Sequence, residues 1–595
     1  MRSDMKGFHN QILAIHMSSG KWEVSPIPDE TLRSTLGGKG LATRLLLQHN
    51  PPLADPLGPE NRLIFAVGPV TGTPVWGSCR HGVFCKSPLT GFYSESYAGG
   101  TVAEQMDRTG FDAVMIHGVS KDPVWLEISP EGVQFHPAKS LWGLDTYETE
   151  NRVKSWVKEN RPKARRTGVV CIGPAGEKLV RFAVIENDYW RSAGRTGVGA
   201  VMGSKKIKAV AFWGDMKKEL ADPALLKEFA AQLAERAKTD KGAAAYKSLG
   251  TPMMVDIMSR VSSFPTRYWH KGKSAHQERI NAAALHERLK VTPHACLKCF
   301  MACGRLATVK EGRHKGLKIE GPEYETIYAF GGLCEVDSIE EITYLNDLCD
   351  RLGLDTISAG NLAALTIEAV EQGRVKYDIG YGNVDKIAKL LEDMAHRRDV
   401  GDTLALGIKN VAQAWNMEDQ VIHVKGLEPP GYDPRVLKGM GLSYGSSDRG
   451  ACHLRATFYK PELSGIVDPD AIEGKAAVFA EWEDRLTFFD ALILCRFYRD
   501  LYQWDSLATM VKGTTGIDLN TEEMKALAGR IIDMTRLFNL REGLTPADDQ
   551  LPKRFYTEVH PDTGKTITET QMTQLLQEYY RVRGWDQQGR PRDAA

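Results

Sequence analysis

Three cysteines stand close together in the segment Cys296-Leu-Lys-Cys299-Phe-Met-Ala-Cys303. This CxxCxxxC spacing lets three thiols reach one face of a tight loop, where they could supply three of the four ligands of an iron–sulfur cube. Pro293 and Gly304 flank the segment and favour a loop over the interior of a helix. The spacing therefore predicts a [4Fe–4S] cluster whose fourth ligand lies elsewhere in the chain.

Two alternatives to a cluster stay open for the three thiols, a zinc site and ordinary buried cysteines. A zinc site usually adds a second CxxC or a spaced pair of histidines, and neither follows in this sequence. Three buried thiols would fit a helix better than a loop. If the cluster is present, the candidates for its fourth ligand are Cys334, Cys349, Cys452 and Cys495.

Two similar hexapeptides follow predicted helices, Asp350-Arg-Leu-Gly-Leu-Asp355 and Asp490-Ala-Leu-Ile-Leu-Cys495. In the first, Gly353 fits the position just after a helix, and Asp355 fits the N-cap of the next helix. Alone, this pattern indicates ordinary capping. Because the second hexapeptide matches it and ends in a spare cysteine, we predict that the two turns clamp the two ends of one cofactor.

Charged residues in three further segments could also do chemistry. Arg80 follows glycine-flanked turns, and its guanidinium suits an anionic ligand, although a surface salt bridge is the alternative. Glu325 and His453 could form an acid/base pair. Taken singly, such a carboxylate is a helix cap or solvated, and such a histidine belongs to the core. Glu320 and Glu323 precede Glu325 in the same segment.

The elements that position these residues change character near residue 213. Before it, short apolar runs bounded by glycine and proline predict strands at 11–15, 63–70, 113–117, 124–128, 168–172 and 209–213. Helices are predicted there only at 29–48 and 145–160. Glycine-rich segments at 37–40, 68–73, 87–92, 97–100 and 193–206 suggest backbone close to a large ligand, with plain hairpin turns as the alternative.

The rest of the chain shows helical spacing with charged faces, at 220–237, 339–352, 357–372, 384–396, 471–485, 521–538 and 569–581. A turn-rich stretch at 426–434 marks a boundary between two such parts. We therefore predict an α+β protein with a β-rich N-terminal domain at 1–215 that binds the cofactor. Two mainly α-helical domains follow at 216–430 and 431–595.

Composition narrows the function classes. The 595 residues contain 76 Lys plus Arg and 76 Asp plus Glu, which gives a formal net charge of zero. This balance argues against a protein that binds nucleic acid or an anionic membrane mainly through its net charge. Ten cysteines are too few for a disulfide scaffold of this length. No apolar run is long enough for a membrane span, and the first residues lack the pattern of a signal peptide. We expect a cytoplasmic protein.

Several motifs occur in one order along the chain: GGKG, GPVTGT, KSPLTG, AGRTGVGAVMGSKKIKAV, CLKCFMAC, GPEYET, DRLGLD, HVKGLEPPGYDPR and DALILC. In this order they resemble the tungsten-containing aldehyde:ferredoxin oxidoreductase family. The resemblance extends from the first glycine-rich segment to GWDQQGRP at 584–591. The ordered set is far more specific than any one of its members.

The resemblance implies a tungsten (or molybdenum) ion held by two pterins beside a [4Fe–4S] cluster, with Mg²⁺ bridging two pterin phosphates. Cys296, Cys299, Cys303 and Cys495 would bind the cluster, and Cys495 would also link it to a pterin. Arg80 would lie between cluster and pterin. The Mg²⁺ side of the cofactor would lie near Tyr97, Ser192 and Ala193. The remaining implied cofactor contacts are Gly194, Arg195, Asp350, Gly353, Leu354, Asp355, Asp490 and Leu494.

The implied reaction converts an aldehyde and water to a carboxylic acid, two electrons and two protons. Glu325 would accept a proton, and His453 would polarise or protonate the carbonyl oxygen. Glu323 and Glu320 stay open as alternatives to Glu325. Electrons would leave singly through the cluster to a ferredoxin or an iron–sulfur partner subunit, and a homo-oligomer or hetero-oligomer is expected.

The sequence departs from the family pattern at three places. Tyr344-Leu-Asn-Asp347 stands where some relatives bind an interfacial iron, so we expect none. Ile493 replaces the usual glycine of the second hexapeptide. Cys334 is either a buried thiol or, as in a dearomatising branch, a tungsten ligand. The alternative functions are therefore the tungsten subunit of a larger complex that reduces an aromatic thioester, and an electron-transfer protein with the cluster alone.

Overall fold

The computed structural model describes residues 4–592. The N-terminal part of the chain forms two six-stranded β-sheets. The first sheet has the strand order β2-β1-β6-β3-β4-β5. Its strands are β1 (Gln11–His16), β2 (Lys21–Pro26), β3 (Leu63–Ala66), β4 (His81–Lys86), β5 (Tyr93–Ala98) and β6 (Ala113–His117). The second sheet has the order β11-β10-β9-β12-β7-β8. It contains β7 (Val124–Ser129), β8 (Gly132–Pro137), β9 (Gly168–Cys171), β10 (Ile185–Asn187), β11 (Arg191–Ala193) and β12 (Ile207–Phe212).

Apolar alternation along the strands builds two cores. Successive residues of a strand point to opposite faces. Leu13 of β1 therefore packs with Phe212 and the other inward residues of the second sheet, whereas Ile12 packs with Leu41 on the opposite face. The helices of this region are α1 (Asp29–Thr35), α2 (Gly38–His49), α3 (Val102–Asp107), α4 (Thr146–Asn160), α5 (Pro174–Glu177) and α6 (Val198–Ser204). The helix predicted at 29–48 is thus divided, because Gly37 adopts a positive φ of 87°.

The remaining residues are mainly helical, so the predicted α+β class is confirmed. The domain boundaries stay predictions. In the described range 4–592, no helix has both the length and the apolarity that a membrane crossing requires. The helices are α7 (Pro223–Ala237), α8 (Lys241–Leu249), α9 (Met254–Arg260), α10 (Gln277–Ile280), α11 (Ala282–Arg288), α12 (Tyr324–Thr326), α13 (Ile339–Leu352), α14 (Thr356–Glu371), α15 (Val384–His396), α16 (Val400–Leu404), α17 (Ile408–Trp415), α18 (Lys438–Ser446), α19 (Tyr459–Leu463), α20 (Lys475–Leu492), α21 (Trp504–Thr515), α22 (Thr521–Arg541), α23 (Lys553–Thr557) and α24 (Glu569–Val582).

A small antiparallel sheet interrupts the helical part and was not predicted. It consists of β13 (Leu289–His294), β14 (Gly304–Val309) and β15 (Lys318–Glu320). The connection between β13 and β14 contains Cys296, Cys299 and Cys303. The three-cysteine segment is therefore the loop of a β-hairpin, which agrees with the predicted loop.

The two hexapeptides form matching turns. Helix α13 is followed by the capping residue Gly353 with φ 75°, and α20 is followed by Ile493 with φ 54°. In each turn the backbone N–H of the next residue, Leu354 or Leu494, donates a hydrogen bond of 2.9 Å to a carbonyl of the preceding helix. As predicted, the Asp355 side chain caps α14. A β-branched residue rarely adopts this left-handed conformation, so the backbone at Ile493 is strained. The packing of the surrounding residues must keep it in this conformation.

A glycine of the N-terminal region packs directly against the second of these turns. A Cβ atom at Gly68 would lie 1.9 Å from the Leu492 carbonyl oxygen. At Gly173 it would lie 2.3 Å from the Leu352 carbonyl oxygen, at the first turn. Some of the glycines are thus needed because the N-terminal region packs closely against the two turns. This requirement is separate from any contact between glycine-rich backbone and a ligand.

Replacing Gly68 with alanine should push the Leu492–Cys495 turn out of place. We expect a loss of about 1–3 kcal/mol in the free energy of unfolding, as for other overpacked sites, together with less bound metal. A thermal melt and elemental analysis measure both. Gly529→Ala in α22 is the matched control, because its Cβ would meet open space. Equal melting temperatures and metal contents for the two variants would refute the proposed role of Gly68.

Candidate functional site

Two cavities adjoin each other between the N-terminal sheets and the helical part. The first, here the thiol cavity, has a volume of about 300 Å³ and is lined by Cys296, Cys299, Cys303 and Cys495. The second, here the acid–base cavity, has a volume of about 310 Å³ and is lined by Glu325 and His453. Arg80, Ser192, Asp355, Glu325 and Cys495 line both cavities, so the two are neighbouring parts of one site.

Backbone hydrogen bonds hold the thiols of the thiol cavity in position. The Cys495 N–H donates to the Gly77 carbonyl at 2.9 Å, and the Gly77 N–H donates to the Lys298 carbonyl at 3.1 Å. The segment just before Arg80 therefore ties the hairpin loop to the turn after α20. Residues distant in sequence are fixed on one cavity wall by these bonds.

The other candidates for the fourth ligand lie elsewhere. The Cys334 thiol is fully buried in the helical core and lies 3.4 Å from the Gly360 carbonyl oxygen. Cys349 is buried in α13. Cys452 lines the acid–base cavity. The structure thus brings Cys495, among the four, to the three hairpin cysteines, and it supports the buried-thiol alternative for Cys334.

The arrangement of the thiols bears on what they could bind. In residues 4–592, no three His, Cys, Asp or Glu side chains are gathered closely enough to hold one metal ion. A four-iron cube binds each thiolate through a different iron, so its ligands surround a cavity instead of meeting at a point. Thiols spread around the walls of a cavity suit that geometry.

Arg80 stands between the two cavities. Its Nη1 lies 4.0 Å from the Cys495 sulfur, and its Nη2 donates to the Tyr97 carbonyl at 2.6 Å. The guanidinium is therefore held at the junction of the two cavities. The surface salt-bridge alternative does not describe it.

Both hexapeptide turns reach the cavities. Asp350, Leu354 and Asp355 of the first turn line the thiol cavity, and Asp490 and Leu494 of the second line the acid–base cavity. Gly353 is not in either wall, and its carbonyl accepts the Val184 N–H at 3.0 Å. It shapes the turn while its neighbours face the cavity.

Two sheet edges meet beside the acid–base cavity. Strand β5, at the edge of the first sheet, lies against β11, at the edge of the second, and the Ser96 hydroxyl donates to the Gly194 carbonyl at 2.7 Å. Tyr97, Ser192, Gly194 and Arg195 line the cavity there, while Ala193 is buried next to them. Arg195 also pairs with Asp355 at 3.0 Å, which joins this edge to the first turn.

Glu325 is the carboxylate that faces His453. Its Oε1 lies 3.6 Å from His453 Nε2, just beyond hydrogen-bonding distance, and its Oε2 accepts the Gly431 N–H at 3.0 Å. Glu323 instead accepts the Thr251 hydroxyl, and Glu320 pairs with Arg191. Glu325 lies in the short α12, which continues as a π-helical turn, Ile327–Leu333. Such turns often occur at functional sites.

Burial sets the protonation of the acid–base pair. It raises the pKa of Glu325 to about 8, although the Gly431 N–H and Arg195 act in the opposite direction. Burial and the Arg449, Arg195 and Arg496 guanidiniums lower the pKa of His453 well below its ordinary value. At pH 7 the carboxyl group therefore holds the proton and the imidazole is neutral, and the two do not form an ion pair.

The segment that contains His453, SSDRGACHLR at 446–455, contributes further residues to the site. Arg449 donates to the Cys452 sulfur at 3.0 and 3.2 Å, and Arg455 donates to Asp490 at 2.9 Å. Burial alone would raise the pKa of the Cys452 thiol, but Arg449 and Arg455 outweigh it and lower the pKa to about 7. Neither arginine was predicted, although their density in so short a segment was a visible signal.

A fifth thiol and an aromatic wall were also missed. Cys79 lines the thiol cavity with the predicted cysteines and is only 6% exposed. It adjoins Arg80 in the sequence, which was the available signal. Tyr324, Tyr432 and Tyr459 line the acid–base cavity, and the rings of the last two stack at 4.4 Å. Nothing in the local sequence pattern distinguishes these tyrosines from core residues.

Comparisons with known proteins agree along nearly the whole chain. The family model for the N-terminal domain of aldehyde ferredoxin oxidoreductase matches residues 12–214, and the model for its domains 2 and 3 matches residues 226–595. A tungsten-containing aldehyde ferredoxin oxidoreductase of Thermococcus kodakarensis is 35% identical, covering 99% of this chain and 98% of the relative. The protein of the same description from Pyrococcus furiosus is 34% identical, with 98% of each chain covered.

Solved structures share the fold, and one of them illustrates the likeness. It is the active site complex of benzoyl coenzyme A reductase with 1,5-dienoyl-CoA, which aligns with a TM-score of 0.84 over 99% of this chain and 96% of that one. The two sequences are 23% identical. At that identity the likeness establishes the architecture and says nothing of the reaction.

Proposed function

The chain belongs to the aldehyde ferredoxin oxidoreductase family and is an oxidoreductase, and from this premise we propose how its site works. The proposed reaction oxidises an aldehyde with water to a carboxylic acid. The observation that carries it is the joining of a thiol-lined cavity to a cavity that contains Glu325 and His453. One cavity offers a route for electrons and the other offers a place for proton transfer.

The residues fit the cofactors that the family implies. Thiolates are the ligands of iron–sulfur clusters, and the thiol cavity contains them. Among residues 4–592, some buried polar atoms near the site also lack a hydrogen-bond partner, namely Glu325 Oε1 and the Nε and Nη2 atoms of Arg455. Such atoms usually find a partner, here a ligand or water. We propose that the cluster is bound by Cys296, Cys299, Cys303 and Cys495.

We assign the pterin contacts to the two turns and the junction. Asp350, Asp355 and Asp490 would accept hydrogen bonds from the pterin rings, and Arg80 and Arg195 would face anionic parts of the cofactor. Gly194, Gly353, Leu354 and Leu494 shape the same walls. The meeting of β5 and β11 makes Tyr97, Ser192 and Ala193 the proposed neighbours of Mg²⁺.

A bound tungsten–pterin group supplies the two-electron redox chemistry, and the cluster supplies a one-electron outlet. The chain moves the protons. Oε2 of Glu325 is fixed by the Gly431 N–H, which leaves Oε1 towards His453 and the cavity. In its deprotonated form Glu325 would take a proton from the attacking water. His453, as a neutral imidazole, would donate a hydrogen bond to the carbonyl oxygen of the substrate.

The remaining wall of the acid–base cavity suits the hydrocarbon part of an aldehyde. Tyr324, Tyr432, Tyr459 and Phe497 face it, and aromatic side chains bury apolar ligand surface well. Electrons would leave on the side of the hairpin loop. Cys296, Cys299 and Cys303 are half-buried there, so a ferredoxin or an iron–sulfur subunit could approach the cluster.

Anaerobically purified protein should reduce a viologen dye when an aldehyde is added. Elemental analysis should give about four irons and about one tungsten or molybdenum for each chain. Dye reduction without aldehyde is the control. Four irons without tungsten or molybdenum, and without aldehyde-dependent reduction, would instead favour the electron-transfer protein with a cluster alone.

The aromatic-thioester reductase is the less well supported alternative, because its proposed cysteine ligand lies outside the site. Cys334, the proposed metal ligand in that alternative, is fully buried in the helical core and lines neither cavity. That reaction would also show itself by copurifying iron–sulfur or flavin subunits and by the absence of aldehyde-dependent dye reduction.

A further inference from the structure

One stretch of the N-terminal region is strongly basic, although the whole chain has no net charge. Residues 152–166 contain seven Lys and Arg side chains and one Glu. Three of the seven pair with carboxylates, namely Arg152, Lys154 and Arg161. Three others lie in the connection from α4 to β9, are exposed and form no ion pair within the described residues 4–592: Lys163, Arg165 and Arg166.

These three side chains line a groove of about 750 Å³, here the basic groove. Arg108, just after α3, and Lys217, in the segment after β12, line it as well. In total five cations and one carboxylate line the groove, so its field is positive. Next to Lys217, the Met216 side chain is 45% exposed, which adds an apolar contact at the rim. Arg and Met are residue types that protein–protein interfaces favour.

The basic groove lies beside the hairpin loop that contains three proposed cluster ligands. The Gly100 carbonyl accepts the Leu297 N–H of that loop at 3.3 Å. Helix α3 begins two residues later, at Val102, and a Cβ at Gly168 of β9 would lie 2.9 Å from the Val102 Cα. The segment 99–108 therefore contacts the hairpin loop at its start and lines the groove at its end.

We propose that the basic groove is the docking surface for an acidic electron-transfer protein that receives electrons from the cluster. The inference rests on the proposed function and assigns the acceptor a place on the surface. Unpaired cations attract an acidic partner and speed its association. Nucleic acid is the less favoured occupant, because five cations neutralise few phosphates and the position beside the hairpin loop has a purpose only for an electron acceptor.

The test measures the aldehyde-dependent reduction of a purified ferredoxin of strongly negative net charge by the complete, cofactor-loaded protein. At low salt, Arg165→Glu/Arg166→Glu should lower kcat/KM for the ferredoxin by about 10- to 100-fold, the range that electrostatic steering contributes. In about 1 M salt, where the Debye length is about 3 Å, the variant and the wild type should give equal values. Viologen reduction, metal content and melting temperature should stay unchanged, since neither arginine lines the thiol cavity or the acid–base cavity.

Arg374→Glu/Lys376→Glu is the matched control, because it reverses two exposed cations and changes the net charge by the same amount. Both residues follow α14, whose first residue, Thr356, lines the thiol cavity. This helix has 16 residues, so its far end lies about 24 Å away from that cavity. The control should keep the wild-type kcat/KM for the ferredoxin.

An unchanged kcat/KM in Arg165→Glu/Arg166→Glu would overturn the proposal, and so would an equal loss in both variants, which would reflect net charge alone. Loss of wild-type retention on a DNA duplex in Arg165→Glu/Arg166→Glu, with ferredoxin reduction intact, would overturn it in favour of a nucleic-acid site. A wild-type protein that reduces no viologen with aldehyde would instead contradict the proposed function, so the two failures are distinguishable.

Discussion

Replacing Glu325 with glutamine should lower kcat for aldehyde oxidation by about 100- to 10,000-fold, the usual contribution of general acid–base catalysis. Glutamine has almost the same shape and keeps an acceptor for the Gly431 N–H, but it cannot take a proton. Tungsten or molybdenum and iron contents should therefore stay at the wild-type values. Steady-state dye reduction and elemental analysis of the same samples test both statements.

The pH dependence gives this variant a second readout. The pKa of Glu325 is raised to about 8 by burial, so at pH 7 most molecules hold the carboxyl group in its neutral form. A base works only when deprotonated, and kcat of the wild type should therefore rise with pH and level off above about 8. The glutamine variant should lack this rise.

Glu323→Gln is the matched control for Glu325→Gln. Glu323 lies two residues earlier and lines the same cavities, but its carboxylate accepts the Thr251 hydroxyl and does not face His453. We expect a much smaller loss of kcat and a preserved rise with pH. If Glu323→Gln instead loses activity and Glu325→Gln retains it, the assignment of the base is wrong.

The second large effect is expected for Cys495→Ala. Removing this thiol takes away the fourth proposed ligand and the link between the cluster and the second turn. Iron content should fall below four for each chain, and dye reduction should fall by more than the roughly 10- to 100-fold that loss of an outer-shell metal contact costs. Iron analysis and the reduced-cluster signal provide the measurement.

Cys349→Ala is the control for Cys495→Ala. It was an equally available candidate for the fourth ligand from the sequence, and it is buried in α13 away from both cavities. Its cluster signal should match that of the wild type. A full four-iron cluster in Cys495→Ala, or cluster loss in Cys349→Ala, would overturn the ligand assignment.

Local patterns predicted much of the fold and of the site. Short apolar runs placed six of the twelve strands of the two sheets, and helical spacing placed the long helices, because both patterns report buried residues directly. Gly353 and Asp355 were recognisable as a helix end and an N-cap, since their types are dictated by backbone geometry. Cys495 had no local signature beyond its likeness to Asp355, and it was assigned by family resemblance.

Other features depend on contacts between distant segments, and no local pattern reports those. The sheet of β13, β14 and β15 is short and half exposed, so its alternation is weak. Cys79 looks like one more buried thiol until the chain around Gly77 is seen between two other loops. The roles of Arg449 and Arg455 become visible only in the folded structure, where Arg449 contacts the Cys452 thiol and Arg455 contacts the Asp490 carboxylate.

The joining of the two cavities has a consequence for how the working protein comes into being. The proposed cofactor contacts run from Arg80 to Cys495, so synthesis must proceed through most of the chain before all of them exist. A fragment that stops at residue 430 would contain the hairpin thiols and lack Asp490, Cys495 and His453. The cofactor therefore cannot be captured in full by a nascent N-terminal part. We therefore expect the cofactor to be inserted only after most of the chain has been synthesised and folded.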